Sequence, residues 1–287
     1  EGLRKFLIVI FPAILAGGII QINLLVDTIF ASLLETGSPT WLYVSDRLVQ
    51  FPMGIFAIAI GTVLLPTLSK LDVSKEKLTF INSIKKGQKF VLFIGIPSLI
   101  GLMFCAEDLI STIFYRGAFT ELDVVKSSYS LIAFSFGLPF FMLMKVLTPA
   151  FFARKDTKTP MYVAIISLFL NASLNYLLAF TFGLGHVGIA IGSSIAALVS
   201  VIILEAILYK DGFLKMNGIF NKFNLMILLS SAALVAFLYI YTSWINFMEL
   251  NQIKRVFFLL IEITISIAIY FSISRLVFNR PLKQMFD

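Results

Sequence analysis

The stretch YVSDRLVQFPMGIFAIAIGTVLLP, residues 43–66, decides the fold: after the adjacent pair Asp46 and Arg47 it carries no charge until Lys70. About 20 consecutive apolar residues cross the hydrocarbon core of a bilayer as a helix. A barrel strand would instead alternate at period two over about ten residues, which this run does not do. With no water to satisfy the backbone, a helix is the expected form. What needs explaining is a permanent cation at its head.

Working outward, runs of spanning length recur along the chain near residues 6–34, 41–69, 88–106, 125–152, 160–182, 187–209, 223–245 and 254–278. The expected fold is all-α, a polytopic integral membrane protein with eight transmembrane helices. Composition agrees: 59% of the 287 residues are hydrophobic and 14% charged, against about 45–50% and 25% in soluble domains. A signal peptide would be one short apolar run before a polar chain, so no segment reads as a targeting sequence. The chain opens at Glu1 rather than methionine, as expected for a piece of a longer polypeptide.

The net charge of +7 does not point to nucleic acid, because the basic residues fall in short gaps between apolar runs. One set of gaps holds Arg4 and Lys5, the Lys70–Lys89 block, then Arg154, Lys155 and Lys158, then Lys210, Lys215 and Lys222, and finally Arg275, Arg280 and Lys283. The opposite set holds Arg116, Lys126, Lys254 and Arg255 beside the acids Glu107, Asp108, Glu121 and Asp123. That asymmetry places both ends of the chain in the cytoplasm. The partly amphipathic KLTFINSIKKGQKF is expected to lie at the headgroups, where each base gains roughly 1 kcal/mol near anionic lipid.

Of the 23 basic residues, Arg47 and Lys145 fall inside expected helices. Lys145 is near enough to a helix end to snorkel. Asp46, Gln50 and Gly54 recur every four residues on one face with Arg47 beside it, whereas Phe51, Ile55 and Ile58 take the other flank. Snorkelling explains Arg47 on its own, but a polar stripe on a membrane helix should face a water-filled cavity. There a guanidinium grips phosphate bidentately and keeps its proton, which makes Arg47, Asp46 and Gln50 candidate substrate contacts. In the first helix, Asp27 needs a proton, a partner or a cation. Asn171 and Asn175 stand one turn apart in the fifth, either as oxygen donors to a hard cation or as interhelical hydrogen-bonding groups. Pro12, Gly17 and Gly18 make the first helix bendable, and Pro52, Pro66, Pro97, Gly137, Pro139 and Pro149 do the same elsewhere.

Catalysis is not expected. His186 stands alone in a short outer connection and reads as a surface histidine. Cys105 is the single cysteine, so a disulfide within the chain is impossible and it reads as an ordinary embedded thiol. Neither a phosphate-binding G-x-x-x-x-G-K-[ST] nor a G-x-S-x-G elbow occurs.

Five segments carry a family resemblance: QINLLVDTIFASLL (21–34), SDRLVQFPMGIFAIAIGTVLLPTLSK (45–70), IFYRGAF (113–119), GLPFFMLMKVLTPAFFARKDTKTP (137–160) and GHVGIAIGSSIAAL (185–198). Together they resemble the C-terminal half of the MurJ (MviN) lipid II flippases of the MOP exporter superfamily, densely up to about residue 210. The resemblance implies a bacterial inner-membrane transporter with fourteen helices. Residues 1–210 would form its second six-helix lobe around a central cavity. Residues 211–287 would form a cytoplasmic connection and two helices making a groove for the lipid tail. The partner lobe of six N-terminal helices would then be missing from this chain.

It further implies that Arg47, with Asp46 beside it, engages the pyrophosphate of undecaprenyl-linked peptidoglycan precursor, with no cofactor, and that the first helix bends to gate the cavity. Some members hold sodium at positions matching Asp27, Asn171, Asn175 and the Val187 backbone. Here Asn175 replaces an expected acid and Ile191 an expected hydroxyl, so proton or membrane-potential coupling stays open. The alternatives are a cation-coupled drug or oligosaccharide-lipid exporter of the same superfamily, and a membrane scaffold for peptidoglycan synthesis that transports nothing.

Overall fold

The computed structural model describes residues 2–72, 75–214 and 221–278, with side chains from Ile14 onward except those of Ala16, Ile20 and Phe278. Lys215, Arg280 and Lys283, and the side chains of Arg4, Lys5 and Pro12, lie outside the described residues. Helices run as α1 (Gly2–Ser32), α2 (Ser38–Pro52), α3 (Ile58–Ser69), α4 (Lys77–Phe104), α5 (Ala106–Phe114), α6 (Glu121–Ala153), α7 (Lys158–Asn175), α8 (Gly185–Lys210), α9 (Lys222–Trp244) and α10 (Gln252–Phe278).

Among the described residues seven helical segments are long and apolar enough to cross a membrane, with α2 and α3 counting as one. The continuous 31-residue α1 occupies the first expected span. Between α2 and α3 the ladder widens to a π turn over Met53–Ala57. Pro52 has no N–H to offer the carbonyl four residues back, so the bonding pattern slips by one residue there.

Two expectations change. The lysine-rich segment is no separate surface connection: it forms the first turns of α4, which starts at Lys77 and runs for 28 residues. That is about 42 Å at 1.5 Å per residue, longer than the roughly 30 Å hydrocarbon core, so its basic end reaches past the apolar zone. The acidic connection between α4 and α6 contains the short helix α5, with Glu107 and Asp108 in its first turn, where the helix dipole favours acids.

Helix α6 is the central pillar, packed against α8, α4, α2 and α3. In both α6 and α8, 61% of the most apolar stretch is buried, against 22% in the Ser38–Ser69 and Lys158–Thr181 spans. Close approach depends on small residues. At Gly37 the backbone takes φ 105° and the Trp41 ring fills the space a Cβ would need. At Gly188 a Cβ would lie 2.7 Å from the Leu178 carbonyl carbon and 2.8 Å from the Ala179 nitrogen. α7 therefore presses its terminal π turn, Tyr176–Thr181, directly onto the backbone of α8.

A large apolar core joins residues of α1 through α8, from Ala31 to Leu208. A second, smaller core sits between the end of α4 and the α9–α10 hairpin, around Phe93, Met226, Leu234, Leu238 and Tyr270. The Tyr270 hydroxyl donates to the Phe93 carbonyl at 2.9 Å.

Candidate functional site

The face of α2 expected to be polar is open. Arg47 and Gly54 are exposed, Asp46 and Gln50 half-buried, and the apolar flank of Phe51, Ile55 and Ile58 is exposed beside them. The Arg47 guanidinium donates from Nη1 to Gln50 Oε1 at 3.2 Å and lies 4.7 Å from the centre of the Tyr43 ring. Gln50 in turn donates through Nε2 to Asp46 Oδ2. The glutamine amide thus relays between the two charges, and the planar fork keeps donors free on an open face. Tyr43 one turn away was legible as a stacking partner from its i, i+4 spacing, but the sequence reading did not include it.

A second polar cluster is closed. Asn171 and Asn175 of α7 are fully buried and meet Asp27 of α1. Asn175 Nδ2 donates to Asp27 Oδ1 at 2.6 Å and to Asn171 Oδ1 at 3.0 Å. Ser193 of α8 donates to Asp27 Oδ2 at 3.1 Å. The Asn171 amide reads better with its oxygen and nitrogen exchanged: its bond from Asn175 is then given up, the nitrogen donates to Asp27 Oδ1 at 2.8 Å and to Asn23 Oδ1 at 3.1 Å, and the oxygen accepts from the Ser193 backbone nitrogen at 3.2 Å. Gly192 leaves the room, since a Cβ there would stand 2.6 Å from Asn175 Oδ1.

The structure thus brings Asp27, Asn171 and Asn175 together. Val187, the fourth expected member, packs among apolar core residues. A hydroxyl does join the cluster, from Ser193 rather than position 191; the GSS run at 192–194 was the overlooked signal. As a cation cradle the donors are hard oxygens, the chemistry sodium or calcium prefers. Asn175 Oδ1 is buried without a hydrogen-bond partner, so an oxygen of this cluster stands open to a ligand.

The expected hinge lies on the same helix as Asp27. α1 runs unbroken through Pro12, Gly17 and Gly18. Both glycines are exposed, and among the described residues nothing lies within 4 Å of where a Cβ would be. Packing therefore gives no reason for glycine there.

Near the start of α8, His186 corrects the surface reading. It is buried at 4% exposure, with Nδ1 2.6 Å from Ser130 Oγ and its ring edge-on to Trp41. Trp41 donates to Asp123 Oδ1 at 2.7 Å, and Lys126 pairs with Glu35 at 2.7 Å, so α2, α6 and α8 are tied at that end. Lys145 of α6 is half-buried. Arg255, expected in an outer loop, is buried instead: it donates to the carbonyls of Phe247 and Met248 at 2.8 and 2.9 Å.

Comparison with known proteins gives a single direction. The family model described as "Lipid II flippase MurJ" matches residues 1–264. The chain is 43% identical over 211 residues to a probable lipid II flippase MurJ of Vibrio cholerae, covering 74% of this chain and 40% of that protein. It is 38% identical over 277 residues to the Haemophilus influenzae counterpart, covering 94% and 54%. The chain thus spans about half the length of these relatives. A solved lipid II flippase MurJ in an inward closed conformation superposes with TM-score 0.76 at 29% identity, covering 96% of this chain and 55% of that one. An outward-facing multidrug-resistance MATE transporter of the MOP superfamily shares the fold, with TM-score 0.63 at 16% identity over 80% of this chain and 52% of its own.

Proposed function

The chain belongs to the MurJ family of lipid II flippases, and from that premise we propose that it supplies half of a flippase. This flippase would carry undecaprenyl-pyrophosphate-linked peptidoglycan precursor from the cytoplasmic to the periplasmic leaflet of the bacterial inner membrane. The observation that carries this reading is Arg47, exposed on the open face of an otherwise apolar span. A pyrophosphate cannot cross hydrocarbon unaided, and a guanidinium lining a hydrated path lowers that barrier while the prenyl tail stays in lipid.

The open faces of α1 and α2 would meet the partner lobe across the cavity, and alternating access would come from the two lobes rocking around it. Arg47 would grip the pyrophosphate, with Asp46 and Gln50 holding the fork in place. α1 would gate by bending at Gly17 and Gly18, alongside Pro12. Support for the hinge is that glycine costs a helix roughly 0.5–1 kcal/mol relative to alanine, and among the described residues neither of these two packs against anything in return. The second core around α9 and α10 supports a division near residue 210, with the hairpin and membrane lipid guiding the tail.

For coupling, Asp27 with the amide oxygens of Asn171 and Asn175, the Ser193 hydroxyl and the Val187 carbonyl would hold sodium. Such an ion would supply the positive charge that keeps Asp27 ionised. Proton or membrane-potential coupling is the alternative for the same cluster.

The test is complementation. Cells depleted of their own lipid II flippase receive the full-length protein carrying Arg47→Ala, Arg47→Glu or Arg47→Lys, with membrane abundance measured. Loss of growth and of periplasmic lipid II with Ala and Glu, at normal abundance, is expected. Rescue by both substitutions would favour the scaffold reading, and rescue of growth without lipid II translocation would favour a drug or oligosaccharide-lipid exporter.

A further inference from the structure

Two acids meet in the smaller core without cations. Glu262 of α10 is 0% exposed and Asp108 of α5 is 7% exposed, and they are close enough for their charges to interact. Glu262 Oε1 accepts from the Cys105 thiol at 3.1 Å. The other Glu262 oxygen, Oε2, and Oδ2 of Asp108 are both buried with no hydrogen-bond partner. The nearby guanidinium is committed elsewhere: Arg255 bonds the Phe247 and Met248 carbonyls, reaches Ser111 O at 3.5 Å and stacks on Tyr115.

Two ionised carboxylates side by side in a buried site are untenable, and such pairs relax by keeping one proton between them. A proton on either carboxyl removes one of the two buried charges and turns an orphan acceptor into a donor. We propose that Asp108 and Glu262 form a proton-binding site at the end of the bundle opposite its lysine-rich end, and that the shared proton latches the α9–α10 hairpin onto α5.

The surroundings fit. From the α4 end Cys105 faces the pair, from α5 Glu107 adds negative charge, and from α9 comes Tyr241, whose hydroxyl is bonded to the Phe258 carbonyl at 2.8 Å. α6, also packed on α5, turns Asp123 and Lys126 towards Trp41 and Glu35 instead. Burial first, then the charges of Glu262 and Glu107, push the Asp108 carboxyl up to about 8. A carboxyl raised in the folded state binds its proton more tightly there than in the unfolded chain. The latch is therefore strongest in acid and weakens as pH climbs towards 8. At the same end, Gln252 of α10 donates to Thr112 O of α5 at 2.7 Å, so loss of the proton loosens a joint that few other polar bonds hold.

Infrared spectroscopy of the intact protein in lipid nanodiscs tests this. The wild type should show a protonated-carboxyl band at neutral pH that disappears with a midpoint near 8 and is lost in both Asp108→Asn and Glu262→Gln. Hydrogen exchange, corrected for intrinsic rate, should show α5 and the start of α10 losing protection over the same interval. A band that survives both substitutions overturns the proposal, as does a midpoint that moves with sodium concentration, which would assign the cradle to a metal cation. If neither variant folds, the wild-type titration decides alone, and no carboxyl band titrating between neutrality and mildly alkaline pH sinks the idea.

Discussion

Glycine does opposite work in α8 and in α1. At Gly188 the α7 terminal turn is so near that a methyl group would collide with main-chain atoms, so the absent side chain is what lets the two helices touch. At Gly17 and Gly18 no described residue comes within 4 Å of the space a Cβ would take. The α7–α8 seam is close-packed and this face of α1 is open, yet Asp27 of α1 is tied to Asn175 and Ser193 of that pair. If α1 gates as proposed, the packed α7–α8 pair is the wall against which it would bend.

The hardest blow to the locked seam is Gly188→Val, which must push main chain rather than a flexible tip. It should cost about 3 kcal/mol, the upper end of ordinary overpacking, seen as a lowered thermal midpoint in detergent. An unchanged midpoint would mean that the seam is loose.

Next in size, Phe151→Ala in the central pillar should cost about 2 kcal/mol. That is less than a soluble core would lose, because lipid rather than water is the reference solvent and the cavity supplies most of the penalty. The matching control is Phe51→Ala, at 69% exposure, which should shift stability by no more than about 0.5 kcal/mol.

The tie between wall and hinge is weaker. Asp27→Ala strands the Asn175 and Ser193 donors and should cost about 1 kcal/mol, since interhelical hydrogen bonds in membranes average below their aqueous counterparts. Sodium-dependent stabilisation in thermal melts, if the cluster holds sodium, should vanish with it.

The smallest change is a gain. Gly17→Ala and Gly18→Ala should each stabilise α1 by roughly 0.5–1 kcal/mol while slowing lipid II translocation in cells. Faster or unaltered translocation with stabilised helices would remove the hinge from these positions.

Much of this was legible in advance and some was not. The positions of the spanning helices followed from apolar run length, and Arg47 announced itself as a fixed cation in an uncharged run. Asp27, Asn171 and Asn175 were nameable for the same reason, each being costly in lipid without a partner. His186 misled because a lone histidine near a turn looks exposed, whereas Trp41 and Ser130, both distant in sequence, bury it. Glu262 escaped attention inside the long apolar run of α10, and Arg255 was taken for a loop residue. Nothing local distinguishes a buried acid or base near a helix end from a snorkelling one.

What the sequence determined by itself is everything that depends on solvent: which segments enter the bilayer, that they are helical, and which residues are out of place there. Hydropathy is a property of each residue against its surroundings, so it survives without knowledge of neighbours. Only the tertiary structure decided which displaced residues find one another. Asp27 reaches Asn175 and Ser193, and Cys105 reaches Glu262, across long stretches of chain. Helix rotation and separation set those meetings, and they come from small residues such as Gly188, set against main chain of the next helix, and Gly192, set against the Asn175 side chain. That geometry is shared between segments and written in neither alone.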